Sequence, residues 1–289
     1  MIRGRTSVVT AVRRPGGDIT TNVKPMPSSA VSKVRRMPFL RGVVVLIEAM
    51  VIGIQSLMLS ANISMEEEDE KIPAKAIWFM MGIAAVMVVL LFFIAPLFLT
   101  GLINNAIPNS LVFHIIEGVI RLAIFIAYIW VISYLPDIKR VFTYHGAEHK
   151  AVNAYEAGVP MEVDAIKAYS CHHVRCGTSF LFLVFIVAII VFTFVGRQDM
   201  WLMVVSRVVL IPVIMGVGYE IIQFGARHAE NRLVKIILAP GLWLQSMTTG
   251  EPDDKQLEVA IAAVNKAVEI DNIEEEKASA VPANNPDAT

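Results

Sequence analysis

This chain is poor in the residues that form cross-links and in the motifs that bind nucleotides. Its 289 residues include only two cysteines and six histidines, and 18% are charged. We find no glycine-rich phosphate-binding loop, no G-x-S-x-G nucleophile motif and no dinucleotide fingerprint in it,. These absences argue against P-loop nucleotidases, α/β-hydrolases and Rossmann dehydrogenases. The formal net charge of -1 argues against broad nucleic-acid binding, so we expect no specific nucleic-acid partner,.

Long apolar runs dominate what the chain does contain, since 55% of its residues are hydrophobic. A helix needs about 20 apolar residues to cross a hydrocarbon core of about 30 Å. Four segments are long enough, and the first and third of them carry no charge: Ile77 to Ile103, Leu111 to Leu135, Thr178 to Val195 and Met200 to Ile222. The sequence therefore predicts a mainly α, polytopic membrane helix bundle in contact with the lipid bilayer.

The segment Gly42 to Ser60 is harder to place, because it is apolar but contains Glu48 and Gln55. The chain before Gly42 carries nine Lys or Arg and one acid, Asp18, which predicts a cytoplasmic N-terminus,. A fifth crossing would put the Lys- and Arg-rich loop 136–178 and the C-terminal region outside the cell. We therefore predict a multi-pass cell-membrane protein with about four spans, a re-entrant or interfacial helix at 42–60, and both termini and this loop in the cytoplasm.

The polar parts of the chain complete the predicted domain organisation. Ser7 to Val12 and Ile19 to Val23, joined by a Pro-Gly turn, predict a small β-hairpin,. Pro240 and Gly241 predict a break in an interfacial helix after the last span. The predicted units are a cytoplasmic β-hairpin and basic segment (1–38), a membrane domain (39–247), a C-terminal cytoplasmic helix (248–270) and a disordered tail (271–289).

Candidate metal ligands gather in the loop 136–178. His145 and His149 stand four apart, which places both imidazoles on one face of a helix,. With Glu148 they form the order H-x-x-E-H, in which both histidines of inverted zinc hydrolases bind zinc and the glutamate accepts a proton. His173 and Cys176, at i and i+3, add nitrogen and sulfur donors,. We predict a metal site, with zinc as the expected ion and iron(II) as the alternative.

Other interpretations of these residues stay open at the level of sequence. The two histidines could solvate a helix that leaves the bilayer, and Cys176 could be a small buried apolar residue. Cys171 and His172 lie in the same segment, and either could replace a neighbouring donor. In the reducing cytoplasm, metal ligation is a commoner use of two cysteines than a disulfide.

Several ionisable residues lie inside the apolar runs, where each needs a partner or a purpose. His114, Glu117 and Arg121 share one helix face, and Glu220 lies near the cytoplasmic end of the last span. Glu117 and Arg121 could neutralise each other within the bundle. Alternatively, the four residues could line a polar cavity beside the metal site, or a transport path.

Three stretches of the sequence, taken together, resemble one known family. Arg140 to Lys150, His173 to Thr178, and Pro240 to Gln245 with Glu251 to Asp254 are similar to the YqhQ family of bacterial membrane proteins, whose members are often described as predicted metal-dependent enzymes. The resemblance runs from the first residues to about residue 265. The family's signature implies site residues at His145, Glu148, His149, His173 and Cys176.

Two departures from that family bear on the site. Val174 stands where the family usually has proline after the histidine. The family also usually begins with Gly-Gly-Gln-Ala-Val-x-Glu-Gly-Val-Met, whereas this sequence begins at Met1-Ile2-Arg3-Gly4. An acidic residue in that missing segment could belong to the site.

Two hypotheses of function follow. In the first, the protein is a zinc-dependent hydrolase that acts at the membrane on a lipid or membrane-protein substrate, with Glu148 as the base and an open position on the metal. In the second, all four donors close the coordination shell, and the protein is a scaffold, an assembly factor or a transporter with a structural metal site.

Overall fold

The computed structural model describes most of the chain, namely residues 1–26, 37, 39–64, 74–103, 107, 109–174, 176–196, 198–228 and 231–280. Residues 27–36 and 38 of the predicted basic segment and residues 281–289 of the predicted tail lie outside the described residues.

The N-terminus forms an antiparallel sheet of strands β1 (Ile2–Arg3), β2 (Ser7–Arg13) and β3 (Ile19–Pro25) in that order. The pairing of β2 with β3 runs from Ser7 opposite Pro25 to Arg13 opposite Ile19. This confirms the predicted hairpin. The additional strand β1 has only two residues, too few for an alternating pattern to reveal it,.

Helices make up the rest of the described chain. A π-helical turn, Leu90–Ile94, joins the second and third of them. In chain order the helices are α1 (Leu40–Ser64), α2 (Ala74–Val89), α3 (Ala95–Leu102), α4 (Ser110–Ile132), α5 (Pro136–Glu156), α6 (Val163–Lys167), α7 (Gly177–Val195), α8 (Met200–Val209), α9 (Ile211–Arg227), α10 (Arg232–Thr248) and α11 (Asp254–Ala280).

Within the described residues, four uninterrupted stretches are long and apolar enough to cross a membrane: Arg41–Ser64, Trp78–Leu102, Ser110–Ile132 and Gly177–Val195. The mainly α membrane bundle is thus confirmed. The predicted span Met200 to Ile222 is instead two helices, α8 and α9, bent by 43°. Pro212 in the first turn of α9 explains the break, because it has no N–H to offer to a carbonyl of α8,.

The long helices pack with alternating directions. Phe125 of α4 contacts Phe185 of α7 with 4.7 Å between ring centroids, and Gly118 of α4 lies against Ile189 of α7. Gly218 of α9 faces Phe180 in the first turn of α7. The C-terminal ends of α4 and α9 therefore lie beside Gly177, where α7 begins. We call this the Gly177 end of the bundle.

Helix α1 contacts the Gly177 end of α9 with its first turn and contacts the sheet further along its length. Arg41 pairs with Glu220 of α9, and a Cβ on Gly42 would lie 2.6 Å from Cβ of Tyr219. Further along α1, the hydroxyl groups of Ser56 and Thr10 in the sheet are 2.9 Å apart. The segment predicted as re-entrant or interfacial is thus one continuous helix, and its contacts favour a position along this end of the bundle.

The sheet, α5, α6 and α11 pack together as a surface layer at the Gly177 end. Their shared core contains Val9, Ala147, Ala151, Ile166 and Leu257. The predicted loop 136–178 is therefore mostly the helices α5 and α6. Small residues on α5 allow the close contact with α11.

Two predicted boundaries differ from the structure. Helix α11 continues to Ala280, so the prediction of disorder from residue 271 is wrong for residues 271–280. Asp271 accepts hydrogen bonds from the backbone N–H groups of Arg5 and Thr6, and these contacts hold this part of α11 on the sheet. Helix α10 continues past Pro240 without the predicted break.

Candidate metal centre

Helix α5 carries two of the candidate ligands and lies close to the segment that follows α10. Gly146 permits this approach, because a Cβ at this position would collide with the carbonyl oxygen of Gly250. The histidines on either side of it, His145 and His149, have ring centroids 4.3 Å apart. The two histidines therefore lie side by side on one face of α5, as their spacing predicts.

Three potential ligands converge at one point. One ligand atom each from His145, His149 and Cys176 lie within 4.8 Å of one another. Nε2 of His145 is 3.3 Å from the Cys176 sulfur. Cys176 precedes α7, and α5 brings both histidines to it. Two imidazoles and a thiolate suit zinc or iron(II).

The outer nitrogens of both histidines are fixed by backbone carbonyls. Nδ1 of His145 is 2.9 Å from the Thr248 carbonyl oxygen, and Nδ1 of His149 is 2.6 Å from that of Cys171. Each Nδ1–H donates to its carbonyl, which directs Nε2 toward the cluster; in the neutral ring this nitrogen carries the lone pair that a metal would bind. Metal-binding histidines are commonly oriented by such a hydrogen bond.

Electrostatics at the cluster favour an ionised sulfur. Burial alone would raise the pKa of the Cys176 thiol, but hydrogen bonds to His145 and His149 lower this pKa to about 5. Burial lowers the pKa of His145, yet the contacts with Cys176 and the Thr248 carbonyl raise it overall. The thiolate, which is the metal-binding form of cysteine, is therefore favoured at neutral pH.

Cys171, which the sequence left as a possible substitute ligand, lies outside the cluster. Its thiol donates to Glu251, whose carboxylate is also 2.7 Å from Nζ of Lys150. Burial and the nearby Glu251 raise the pKa of Cys171 to about 11, so it keeps its proton at neutral pH. Cys171 is thus a natural control for Cys176.

His173 is close to the cluster but turned away from it. Its ring centroid is 6.0 Å from that of His149, and its Nε2 is 3.4 Å from a carboxylate oxygen of Glu156. The structure therefore brings together three of the four predicted ligands. Residues 173, 174 and 176 are not helical, so the i and i+3 spacing of His173 and Cys176 does not fix their relative orientation.

Gln245 holds this irregular segment in place. Its side chain is fully buried, accepts a hydrogen bond from the His173 N–H at 2.9 Å, and donates to the His173 carbonyl and the Ser179 hydroxyl. Sequence reasoning did not identify this role. The only signal was that Gln245 ends an apolar stretch shared with the YqhQ family.

Glu148, the predicted base, also lies outside the three-ligand cluster. One carboxylate oxygen is 3.5 Å from the amino group of Met1. Glu148 and His145 both line a cavity of about 700 Å³ between α1, α5, α11 and the sheet. Glu148 is therefore accessible from the same cavity as one of the candidate ligands.

The predicted intramembrane cluster is only partly present. His114, Glu117 and Arg121 are nearly fully buried together, and Arg207 of α8 joins them. Glu220 is elsewhere, paired with Arg41 at the Gly177 end. The sequence could not predict this pair, because Arg41 and Glu220 are far apart along the chain.

This cluster is also distant from the metal ligands. Phe192, whose ring lies 4.4 Å from the guanidinium carbon of Arg207, is 16 residues beyond Cys176 along α7. Sixteen residues of helix rise about 24 Å. The interpretation of the cluster as a cavity beside the metal site is therefore wrong.

Comparison with known proteins gives a family but no activity. Residues 37–270 match the model of a family described as "Protein of unknown function (DUF1385)". The chain is 34% identical over 290 residues to "Uncharacterized protein YqhQ" of Bacillus subtilis (strain 168), covering 96% of this chain and 91% of that protein. No solved structure matches the chain.

Proposed function

Since the chain belongs to the DUF1385 family, for which no function is known, we propose one from the site itself: a metal-dependent hydrolase at the membrane surface. His145, His149 and Cys176 would hold the ion, with zinc expected. Three protein ligands leave one position of a tetrahedron open, which is the arrangement of catalytic zinc sites.

The observation that carries this proposal is the convergence of the three ligand atoms with both histidine Nδ1 atoms already engaged. Hydrogen bonds to the two histidines also lower the pKa of Cys176 to about 5, which favours the metal-binding thiolate at neutral pH,. Side chains that merely solvate a helix end need neither feature.

The chain's own residues have separate roles in the proposed reaction. A bound zinc ion supplies a nucleophile at neutral pH and polarises a carbonyl or phosphoryl oxygen. Glu148 accepts the proton of the attacking water at a carboxylate oxygen and returns it to the leaving group. The cavity of about 700 Å³ admits the substrate to His145 and Glu148.

Metal content of the purified full chain tests the ligand set. We expect close to one equivalent of zinc by mass spectrometry in the wild type, and a loss of most of it in His149→Ala and Cys176→Ala. Cys171→Ala is the matched control and should keep the metal. Equal zinc in Cys176→Ala and Cys171→Ala would overturn the assignment.

Glu148→Gln separates metal binding from catalysis. This variant keeps the size of the side chain and should keep the zinc, while turnover of ester substrates in mixed micelles falls by about 100-fold or more, the usual contribution of a positioned base. Glu162→Gln, at an exposed position just before α6, is the control. Unchanged turnover in Glu148→Gln would show that Glu148 is not the catalytic base.

A structural metal site is the second candidate, and the position of His173 favours it. Its ring is 6.0 Å from that of His149, so a rotation could bring it in as a fourth ligand. X-ray absorption on the zinc-loaded protein distinguishes the two. A scaffold or assembly role would be supported if the wild type shows four nitrogen and sulfur ligands and His173→Ala shows three. A coordinated oxygen retained in His173→Ala would support the hydrolase.

A further inference from the structure

A second cavity, of about 440 Å³, is strongly basic. It lies where α5 and α11 begin, next to strand β2. Four cationic side chains line it, against the single carboxylate of Asp253: Arg13, Lys139, Arg140 and Lys255. Asp253 already caps α11, because its Oδ1 accepts the backbone N–H of Gln256 at 2.8 Å.

Most of this positive charge is not neutralised by the protein. Arg13 pairs with Glu258, but its Nε is buried without a hydrogen-bond partner. Among the described residues, no ion pair is present at Lys139, Arg140 or Lys255. Converging cations and an unsatisfied guanidinium N–H together favour an anion with several acceptor oxygens, and phosphate has the geometry that arginine binds best.

Two features of the sequence around the cavity favour a position at a membrane surface. Pro136, part of its lining, follows the end of the apolar helix α4 by four residues. Trp130 in the last turn of α4 and Tyr134 just after it are exposed, with ring centroids 5.4 Å apart. Exposed Trp and Tyr beside an apolar helix typically mark the layer of lipid head groups.

The basic cavity adjoins the larger one that contains Glu148. Arg13, Arg140 and Tyr144 line both. The larger cavity also has apolar walls from Val12, Leu57, Val141 and Ala263. A molecule with a phosphate in the basic cavity could therefore lay an apolar or ester-bearing part toward Glu148.

We propose that Arg13, Lys139, Arg140 and Lys255 bind the phosphate group of a phosphoester, and that this group defines the substrate class of the neighbouring site. Phosphate binding depends only on the residues of the basic cavity. The assignment of the phosphate group to the substrate of the metal site rests on the proposed hydrolase function. A lipid head group and a soluble phosphoester share this chemistry.

Equilibrium titration of the purified full chain in neutral detergent tests the site. The probes are dilauroyl phosphatidic acid, dilauroylglycerol as its phosphate-free counterpart, and inorganic phosphate, at about 0.15 M ionic strength to screen distant charges. We expect saturable binding of phosphatidic acid and none of dilauroylglycerol. Tighter binding of the lipid than of inorganic phosphate assigns a lipid source, and equal binding assigns a soluble one.

Charge removal shows whether the cavity or general surface charge is responsible. Lys139→Gln/Arg140→Gln should weaken phosphate binding about tenfold or more, since two charge-assisted contacts are lost. Lys255→Gln tests the opposite wall independently. Arg232→Gln removes an exposed cation at the start of α10, outside the cavity, and should change the Kd by less than about twofold,. Equal weakening by all three, or no phosphate binding by the wild type, overturns the proposal.

The same titration on Cys176→Ala separates this inference from the proposed function. Phosphate binding should persist there although the metal is lost. If the wild type binds zinc but not phosphate, the metal site stands and the phosphate-binding proposal is wrong. If the protein binds phosphate but contains no zinc in any preparation, the phosphate-binding proposal stands and the proposed hydrolase function is wrong.

Discussion

Glu117 is the residue on which the buried charges of the bundle depend. Its two carboxylate oxygens contact two guanidiniums, those of Arg121 and Arg207. The Phe192 ring lies beside both cations, with centroid distances of 5.5 and 4.4 Å to their guanidinium carbons. Two buried cations share one carboxylate, so loss of that carboxylate leaves both without a counter-charge from the part of the chain that the structure describes.

Glu117→Gln is therefore expected to destabilise the protein severely. Breaking a buried pair by removing one partner costs about 3–5 kcal/mol. Glu220→Gln is the matched control, because its partner Arg41 is partly exposed and such pairs contribute about 1 kcal/mol or less,. Unfolding of both variants in detergent, followed by circular dichroism, gives the comparison. Equal stabilities would mean that Glu117 does not hold the cluster together.

At the residue scale, the sequence was informative where a helix fixed the geometry. His145 and His149 could be paired by spacing alone, because helical residues four apart share a face,. His173 could not be oriented in the same way, since its segment is irregular and its direction depends on Gln245, 72 residues away. The roles of Arg207 and Thr248 are likewise set by packing between helices.

Helix α11 shows how a distant contact extends an element beyond its local pattern. The polar composition after residue 270 predicts disorder, yet Asp271 accepts three donors from the loop before β2: the N–H groups of Arg5 and Thr6 and the Thr6 hydroxyl. Gly4 makes room for it, because a Cβ there would lie 2.9 Å from Oδ2 of Asp271. No local signal reveals a contact across 266 residues.

Asp271→Ala should loosen the sheet without unfolding the bundle. We expect a loss of about 1 kcal/mol, because the lost hydrogen bonds are partly exposed to solvent. Hydrogen exchange should then become faster in β1 and β2. Glu269→Ala is the control on the same helix, since Glu269 pairs only locally with Lys266. Faster exchange in both variants would assign the effect to α11 itself rather than to this contact.

The break between α8 and α9 illustrates the opposite case, in which apolar length predicted a span but did not reveal its 43° bend. Pro212 was visible in the sequence, but a proline in an apolar run does not say whether the helix kinks or separates,. In the structure, α9 packs along α7 through Val187, Ala188 and Ile214. Arg207 of α8 instead reaches Glu117 of α4. Pro212 permits the bend, and the different partners of α8 and α9 fix its direction.

The path of the whole chain through the membrane depends on α1. By length and composition, α1 could cross the membrane, as could the other three candidate spans. Its contacts argue otherwise: Arg41 pairs with Glu220, Arg3 of the sheet lies 3.9 Å from Glu48, and Gln55 contacts Lys24. Polar and charged residues along α1 thus contact the sheet of the surface layer and the Gly177 end of α9, which a helix crossing the bilayer could not do along its length,.

We therefore predict that both ends of α1 lie on one side of the membrane. Single cysteines at Met37, Ser64 and Leu102, labelled in sealed vesicles with an impermeant maleimide and read by peptide mass spectrometry, test this in the presence of the native cysteines. Met37→Cys and Ser64→Cys should react from the same side, and Leu102→Cys, at the far end of α3, from the other. Reaction of Met37→Cys and Ser64→Cys from opposite sides would make α1 a span. The metal ligands and the basic N-terminus would then lie on opposite faces, and the contacts between α1 and the surface layer could not form.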